Sequence, residues 1–329
     1  MLRDEVLMLL MEQEGYVSGA EISKKLGVTR MAVSNAVKTL KEDGCEIDAV
    51  TNRGYCLKST PGRLTQGEVC AHLPEERRAL VRCFDSIDST NSYLKREAVQ
   101  GAPHLLCAVA NEQTAGRGRS GRSFTSAADC GVYLSLLLRP NCQPMEAATL
   151  TAHTAVAICR AIEQVSSARA KIKWTNDVLL GERKICGILT ELTLEGESAA
   201  LDSVVIGIGV NANNRIEDFP EELREKAGSI FSETGEQIDR ARLAAAMIRE
   251  LDQMYAAWER DRFAYLEEYR SRCVTVGREV RVIRGDTVRE AFAEAVTDDF
   301  GLLVRYPDGT QETVSAGEVT IRGKDNKYL

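Results

Sequence analysis

Between residues 116 and 138 the chain passes from a basic loop straight into a strand, and that order excludes a whole class of nucleotide-binding folds. The loop is Gly116-Arg-Gly-Arg-Ser-Gly-Arg122, three glycines interleaved with three arginines. Its glycines match G-x-G-x-x-G, but the dinucleotide fingerprint needs a helix to leave the loop, because the helix N-terminus holds the pyrophosphate. What leaves it here is polar Ser123 to Asp129, then Gly131-Val-Tyr-Leu-Ser-Leu-Leu-Leu138, which reads as a buried strand. No acidic residue closes a second strand at the spacing of a βαβ unit. The stretch is therefore either a solvated basic loop or one whose fork-shaped guanidinium donors order around phosphate or carboxylate oxygens.

The 329 residues suffice for two or three domains, and 44% hydrophobic content supports real cores. No apolar run reaches the length of a membrane span, and the acidic N-terminus Met1 to Gly15 does not read as a secretory signal. A cytoplasmic protein without membrane contact is expected. The 10 cysteines are scattered singly with no C-x-x-C pair, which suits reduced thiols used mostly as core filler. His72, His104 and His153 lie far apart, so no zinc site is readable. A net charge of −7 argues against nonspecific coating of nucleic acid but leaves room for a small locally basic reader.

Such a reader is legible at the front. Residues 3 to 14 form one amphipathic helix; Ser18 with Glu21 makes a capping box for a second, which ends at Gly27. Thr29 caps a third, Arg30 to Glu42, with Met31, Val33, Val37 and Leu40 expected inward and Arg30, Ser34, Asn35 and Lys38 outward. Ile47 to Leu57, turning at Asn52-Arg53-Gly54, reads as a hairpin wing. This is the pattern of a winged helix-turn-helix, with Thr29, Arg30, Ser34, Asn35 and Lys38 as candidate DNA-contacting residues on a helix that enters the major groove. Residues 1 to 60 carry eight Lys/Arg against nine Asp/Glu, so a small helical domain for protein contacts is the alternative. Thr60-Pro61-Gly62-Arg63 marks the boundary.

Beyond it strands and helices mix: strands at 79–84, 104–111 and 132–138, a helix at 92–98 capped by the Asp88-Ser-Thr-Asn91 turn, and a long helix at 145–165 with Thr151, Ala155, Ile158 and Ile162 inward. A meander follows through Lys171-Ile-Lys-Trp-Thr-Asn-Asp177, Lys184 to Glu191 and Ser203 to Asn213. A central mixed sheet with flanking helices is expected. The helical segments 220–226 and 238–269 come next, then short strands at 278–282, 288–296, 302–306, 313–314 and 319–321 that suggest a small SH3-like barrel. The fold class is α+β, divided as 1–62, 63–273 and 274–329.

The polar residues of the middle segment describe a task. Lysine and arginine can bind a triphosphate and stabilise the charge that builds during displacement, while Asn176 and Asp177 suit a Mg²⁺ that bridges phosphates. No Ser/His/Asp or Cys/His set is suggested, so catalysis would be positioning plus electrostatics.

Asp88-Ser-Thr-Asn91, Gln113-Thr-Ala-Gly116-Arg-Gly-Arg-Ser-Gly-Arg122, Lys173-Trp-Thr-Asn-Asp177, Lys184-Ile-Cys-Gly-Ile-Leu189 and Gly207-Ile-Gly-Val-Asn211 stand in the order and approximate spacing of the biotin protein ligases. With the front module, residues 1 to 323 resemble the bifunctional biotin ligase and biotin operon repressor family of bacteria. The resemblance implies a central domain like class II aminoacyl-tRNA synthetases and a C-terminal SH3-like domain. It implies an enzyme that makes biotinyl-5′-AMP from biotin and ATP, with Mg²⁺, and passes biotin to a lysine of a biotin carboxyl carrier protein. It further implies operator DNA as a partner, biotinyl-AMP as corepressor and a ligand-promoted homodimer.

Carried across residue by residue, Ser89, Thr90, Asn91 and Gln113 would contact biotin, and Arg117, Gly118 and Arg119 would close over it. Lys184 would touch the biotin carboxylate and the α-phosphate, with Arg119 its catalytic companion. Arg122, Asn176 and Asn211 would serve the nucleotide, and Asp177 the metal. The alternatives are Ser89 and Asn91 as helix caps, Asp177 as a turn residue, and Trp174 as a pocket wall. The chain departs from common family members at Thr175, where proline is usual, and at Ser120, where arginine is usual. A lipoate-type ligase and a non-enzymatic biotin-sensing repressor are the competing functions.

Overall fold

The computed structural model describes residues 1–196, 200–285, 287–315 and 318–321. The last eight residues of the expected third domain, 322–329, lie outside the described residues, as does the side chain of Ser120.

Three helices open the chain: α1 (Leu2–Glu12), α2 (Gly19–Leu26) and α3 (Arg30–Glu42). Ser18 Oγ accepts from the Glu21 N–H at the start of α2, and Gly27 ends it at φ 66°, the left-handed cap that glycine adopts without penalty. β1 (Glu46–Val50) and β2 (Gly54–Ser59) form the antiparallel wing. One expectation fails here. Met31 is 70% exposed, and Ala36 takes the inward place with Val33, Val37 and Leu40. A stripe at 33, 36, 37 and 40 follows the helical period; position 31 lies two residues outside it, on the opposite side.

The connection leads into α4 (Gln66–Ala71) and α5 (Glu75–Arg78). Glu68 is 3% exposed on α4, and its carboxylate accepts from the Arg63 backbone N–H at 2.9 Å, clasping the segment that joins wing to sheet. Burial raises its pKa to about 7. Its stabilising contribution is then complete below about 4.5, where the unfolded carboxyl titrates, and is lost as pH rises through 7. Buried His153, pushed down to about 4 by desolvation, adds an opposite slope at lower pH. The informative quantity is therefore a difference: Glu68→Gln should gain on the order of 2 kcal/mol relative to the parent between pH 5 and 8 in denaturant titrations. A pH-independent difference would show that Glu68 does not titrate in that window.

Next come β3 (Val81–Ile87), α6 (Thr90–Val99), β4 (Cys107–Gln113), β5 (Gly131–Leu138), α7 (Pro144–Ala148), α8 (Leu150–Val165), β6 (Lys171–Lys173), β7 (Asp177–Leu180), β8 (Arg183–Leu194) and β9 (Leu201–Asn211). The seven-stranded sheet runs β3-β4-β5-β9-β8-β7-β6, with β3 and β4 parallel and every other pair antiparallel. All eight residues of β5 are buried, as its continuous apolar run requires at the centre of a covered sheet. The expected helix 145–165 is two, because Thr149 Oγ1 donates to the Glu146 carbonyl at 2.6 Å and competes for the acceptor of the next helical turn.

After α9 (Ile230–Thr234), the expected helix 238–269 is also two, α10 (Arg240–Arg260) and α11 (Leu266–Arg272). Asp261 between them is extended, and its carboxylate accepts from the Phe263 N–H at 2.8 Å, a local turn that ends the helix. Segment 220–226 holds only a short 3-10 turn, Glu221–Leu223. β10 (Glu279–Arg284), β11 (Thr287–Val296), β12 (Leu302–Arg305), β13 (Gln311–Val314) and β14 (Glu318–Ile321) form a five-stranded antiparallel sheet in the order β13-β12-β11-β10-β14. Its inner residues, among them Val280, Leu302 and Val304, belong to the same apolar core as the seven-stranded sheet. All ten cysteines are free, and no described helix is long and apolar enough to cross a membrane.

Candidate active site

One end of the site is built where α6 begins against the sheet. Ser89 caps α6, and the residues after it, Thr90 and Asn91, are each 3% exposed. The last residue of β4, Gln113, accepts at Oε1 from the Thr90 backbone N–H (2.9 Å) and hydroxyl (3.0 Å), and its amide donates to Ser126 Oγ at 2.9 Å. Ser135 Oγ on β5 lies 2.7 Å from Thr90 Oγ1 and 2.5 Å from Asn91 Oδ1. Asn91 Nδ2 donates to Glu191 Oε2 on β8 at 2.9 Å. A continuous hydrogen-bonded set thus orients amide and hydroxyl groups, the donors and acceptors suited to a small polar ring.

The sheet makes room for it with glycines. A Cβ at Gly207 would sit 2.2 Å from Asn91 Oδ1, and one at Gly209 would sit 2.4 Å from the Phe124 ring. Both strand positions are glycine because other side chains occupy their space.

The other end is charged. Lys184 Nζ stands 2.6 Å from Asp177 Oδ1 across the β7–β8 pair. Its backbone is pinned as well: the Lys184 N–H donates to the Lys226 carbonyl at 2.8 Å, and the Gly228 N–H donates to the Lys184 carbonyl at 3.0 Å. Gly187 leaves the lysine its space, since a Cβ there would lie 3.1 Å from Nζ. Arg119, on a 3-10 turn, donates from Nη1 to Asn176 Oδ1 at 2.9 Å, while Asn176 Nδ2 donates to the Ile188 carbonyl at 2.9 Å. The arginine loop doubles back on itself through Gly118 N–H to the Arg122 carbonyl (2.7 Å) and Phe124 N–H to the Gly116 carbonyl (2.9 Å). Trp174 is 5% exposed and its indole N–H donates to the Phe300 carbonyl at 2.8 Å, so it is a wall whose polar edge points to the C-terminal sheet. The peptide bond to Thr175 is cis.

These groups surround one cavity of about 220 Å³, lined by Ser89, Thr90, Asn91, Gln113, Arg117, Gly118, Arg119, Arg122, Asn176, Asp177 and Lys184. Asn211 does not line it: it is 6% exposed, and its amide donates to the Gly228 carbonyl at 2.9 Å. Its contact is with the segment that pins Lys184. Lys173, Gly187, Gly207 and Gly209, which stand in the quoted motifs without an assigned role, also line the cavity, as do Phe124 and, from β14, Val319 and Thr320. The glycines in Gly207-Ile-Gly209 were a readable signal of close approach; nothing in the sequence placed the strand at 319–321 against the cavity.

The candidate DNA face is separate. Arg30, Ser34, Asn35 and Lys38 are exposed on α3, whereas the Thr29 hydroxyl accepts from the Ala32 N–H at 3.2 Å and serves as a cap. On the wing, the Arg53 guanidinium lies 4.2 Å from the Tyr16 ring centre.

Three family models match the chain. The biotin/lipoate A/B protein ligase family matches residues 83–211, an HTH domain residues 3–56, and the biotin protein ligase C-terminal domain residues 275–322. The bifunctional ligase/repressor BirA of Bacillus subtilis is 33% identical over 94% of this chain and 96% of its own length. That of Escherichia coli is 29% identical over 97% of both chains. Among solved structures, the Aquifex aeolicus biotin protein ligase in complex with biotin and ATP superposes with TM-score 0.63 at 25% identity, covering 74% of this chain and 99% of that one. With full-length relatives, a matching three-part domain order and a cavity that joins an amide-and-hydroxyl end to a lysine-and-arginine end, the chain belongs to the bifunctional biotin protein ligase/repressor family.

Proposed function

We propose that this chain joins biotin to ATP as biotinyl-5′-AMP, transfers biotin to a lysine of a biotin carboxyl carrier protein, and represses biotin genes with the adenylate as corepressor. The observation that carries the reading is the polarity of that cavity: neutral donors and acceptors at Ser89, Thr90, Asn91 and Gln113, and the Lys184–Asp177 pair with Arg119 and Arg122 at the other side. The ureido ring belongs at the first end and the reacting carboxylate and phosphate at the second.

In the first step the biotin carboxylate oxygen attacks the α-phosphorus and pyrophosphate departs. Lys184, Arg119 and Arg122 offset the negative charge that gathers there, and the Asp177 carboxylate holds the lysine ammonium in place. In the second, a neutral carrier lysine amine attacks the acyl carbonyl, AMP leaves, and the amine proton passes to solvent. Between the steps the Gly116–Arg122 loop shields the mixed anhydride from water. Asp177, with Asn176 beside it, would hold a Mg²⁺ that comes with the triphosphate. Such an ion supplies charge neutralisation on the phosphates.

Mass spectrometry of a carrier domain after incubation with the chain, ATP, Mg²⁺ and biotin or lipoate tests the reading. Modification with biotin alone supports it; modification with lipoate, or with neither, favours one of the competing functions.

The finer architecture follows the same reading: units at 1–62, 63–273 and 274–329, a catalytic sheet of the class II synthetase type and an SH3-like end, in a reducing cytoplasm that suits ten free thiols. For repression, the ligand-closed form pairs with a second copy and presents two α3 helices to operator half-sites, so one coupling free energy raises both dimer fraction and operator affinity. Arg30→Ala with Lys38→Ala should weaken operator binding at least about tenfold and lower its salt dependence while biotinylation persists. Unchanged binding in a salt titration would remove α3 from the interface.

A further inference from the structure

Glu191 stands at a junction that the two-step chemistry does not use. It lies on β8 with its side chain 17% exposed. One carboxylate oxygen, Oε2, accepts from Asn91 Nδ2 at 2.9 Å; the other, Oε1, takes Lys95 Nζ at 3.1 Å and Arg117 Nη1 at 3.3 Å. Asn91 belongs to the buried neutral end of the cavity and Arg117 to the basic loop. Burial works to raise the Glu191 carboxyl, yet hydrogen bonds from Asn91 and Lys95 and the charges of Lys95 and Arg117 hold it below the usual glutamate value. It is therefore a carboxylate at neutral pH, able to hold an arginine.

The Arg117–Glu191 pair joins the loop to the sheet through a side chain that also touches the biotin end. The hydrogen-bonded set Ser126–Gln113–Thr90–Ser135–Asn91 ends on this same carboxylate. A ligand that fixes Asn91 fixes one oxygen of Glu191, and with it the direction in which the other faces Arg117.

We propose that Glu191 is a positioning residue, a latch that ties the biotin-contacting Asn91 to Arg117 and so holds the loop shut over the acyl-adenylate. The proposal rests on the ligase reading above. It separates two jobs within one loop: Arg119, bonded to Asn176, faces the reacting end, whereas Arg117 fastens the loop to the sheet.

The test is a double-mutant cycle on the full chain, loaded with labelled biotinyl-AMP from biotin and ATP, with its release timed in the absence of carrier. Glu191→Gln keeps an acceptor for Asn91 and removes the charge. Release should quicken about fivefold, the upper range for a partly exposed ion pair, but less than about twofold when Arg117 is already methionine. Equal factors in both backgrounds, or none in the parent, would overturn the latch while leaving the ligase intact. A parent that forms no biotinyl-AMP would instead overturn the ligase reading and the latch with it. Should Glu191→Gln fail to fold, salt decides: raising it from about 0.05 to about 0.5 M should speed release from the parent and not from Arg117→Met, and an equal response in both counts against the proposal.

Discussion

Lys184→Ala should slow single-turnover pyrophosphate release with biotin and ATP by about 10²- to 10³-fold, the cost of removing one preorganised donor from a developing charge. The size follows from how firmly that cation is held. Its backbone is bonded on both sides to residues 226–228, its ammonium lies 2.6 Å from Asp177, and Gly187 has no side chain to obstruct it. Removal also leaves Asp177, whose side chain is 13% exposed, as a negative group facing the incoming phosphates. Arginine should not restore the rate, because a planar guanidinium fork presents its donors differently from the point-like ammonium that Asp177 holds. A loss of threefold or less would place the reacting phosphorus elsewhere in the cavity.

Gly207→Ala is expected to weaken biotin binding by about 10- to 100-fold in calorimetry, with the fold retained. The new methyl would stand 2.2 Å from Asn91 Oδ1, and Asn91 is buried, so the amide has to move. Moving it separates Asn91 from Ser135 and Glu191 and leaves buried polar groups unpaired, a cost of roughly 1–3 kcal/mol. Because the disturbed end is remote from Lys184, the loss should fall on biotin affinity rather than on ATP affinity. Equal weakening of both ligands would indicate a general collapse of the sheet.

How legible all this was in the sequence depended on the range of the interaction that fixed each feature. Caps were readable, because Ser18, Thr29 and Ser89 act within three residues of themselves. So was most of the meander, read as three strands where the structure has four, because the chain turns back between Lys173 and Asp177 to make β6 and β7. The helix breaks at Thr149 and Asp261 were missed because each depends on one side chain competing with a backbone group inside an otherwise periodic stretch. Met31 was placed inward with the other large apolar residues of α3, although its position falls outside the helical stripe that Ala36 completes.

At the site, the motifs named nearly every lining residue, and the structure adds their relations. Asp177, expected to serve a metal, has Lys184 as its neighbour, and Asn211, expected to serve the nucleotide, supports the segment beneath that lysine. Glu191 and the β14 residues Val319 and Thr320 were out of reach, since long-range packing brings them to the cavity and no local pattern marks them.

The central claim is that the segment from Gly116 to Phe124 closes over an activated biotin and shields it. Amide hydrogen exchange of that segment, measured on the full chain with and without bound biotinyl-AMP, reads it directly. The account predicts exchange slowed at least about tenfold at residues 116–124 when the adenylate is bound. Equal exchange in the two states would contradict it.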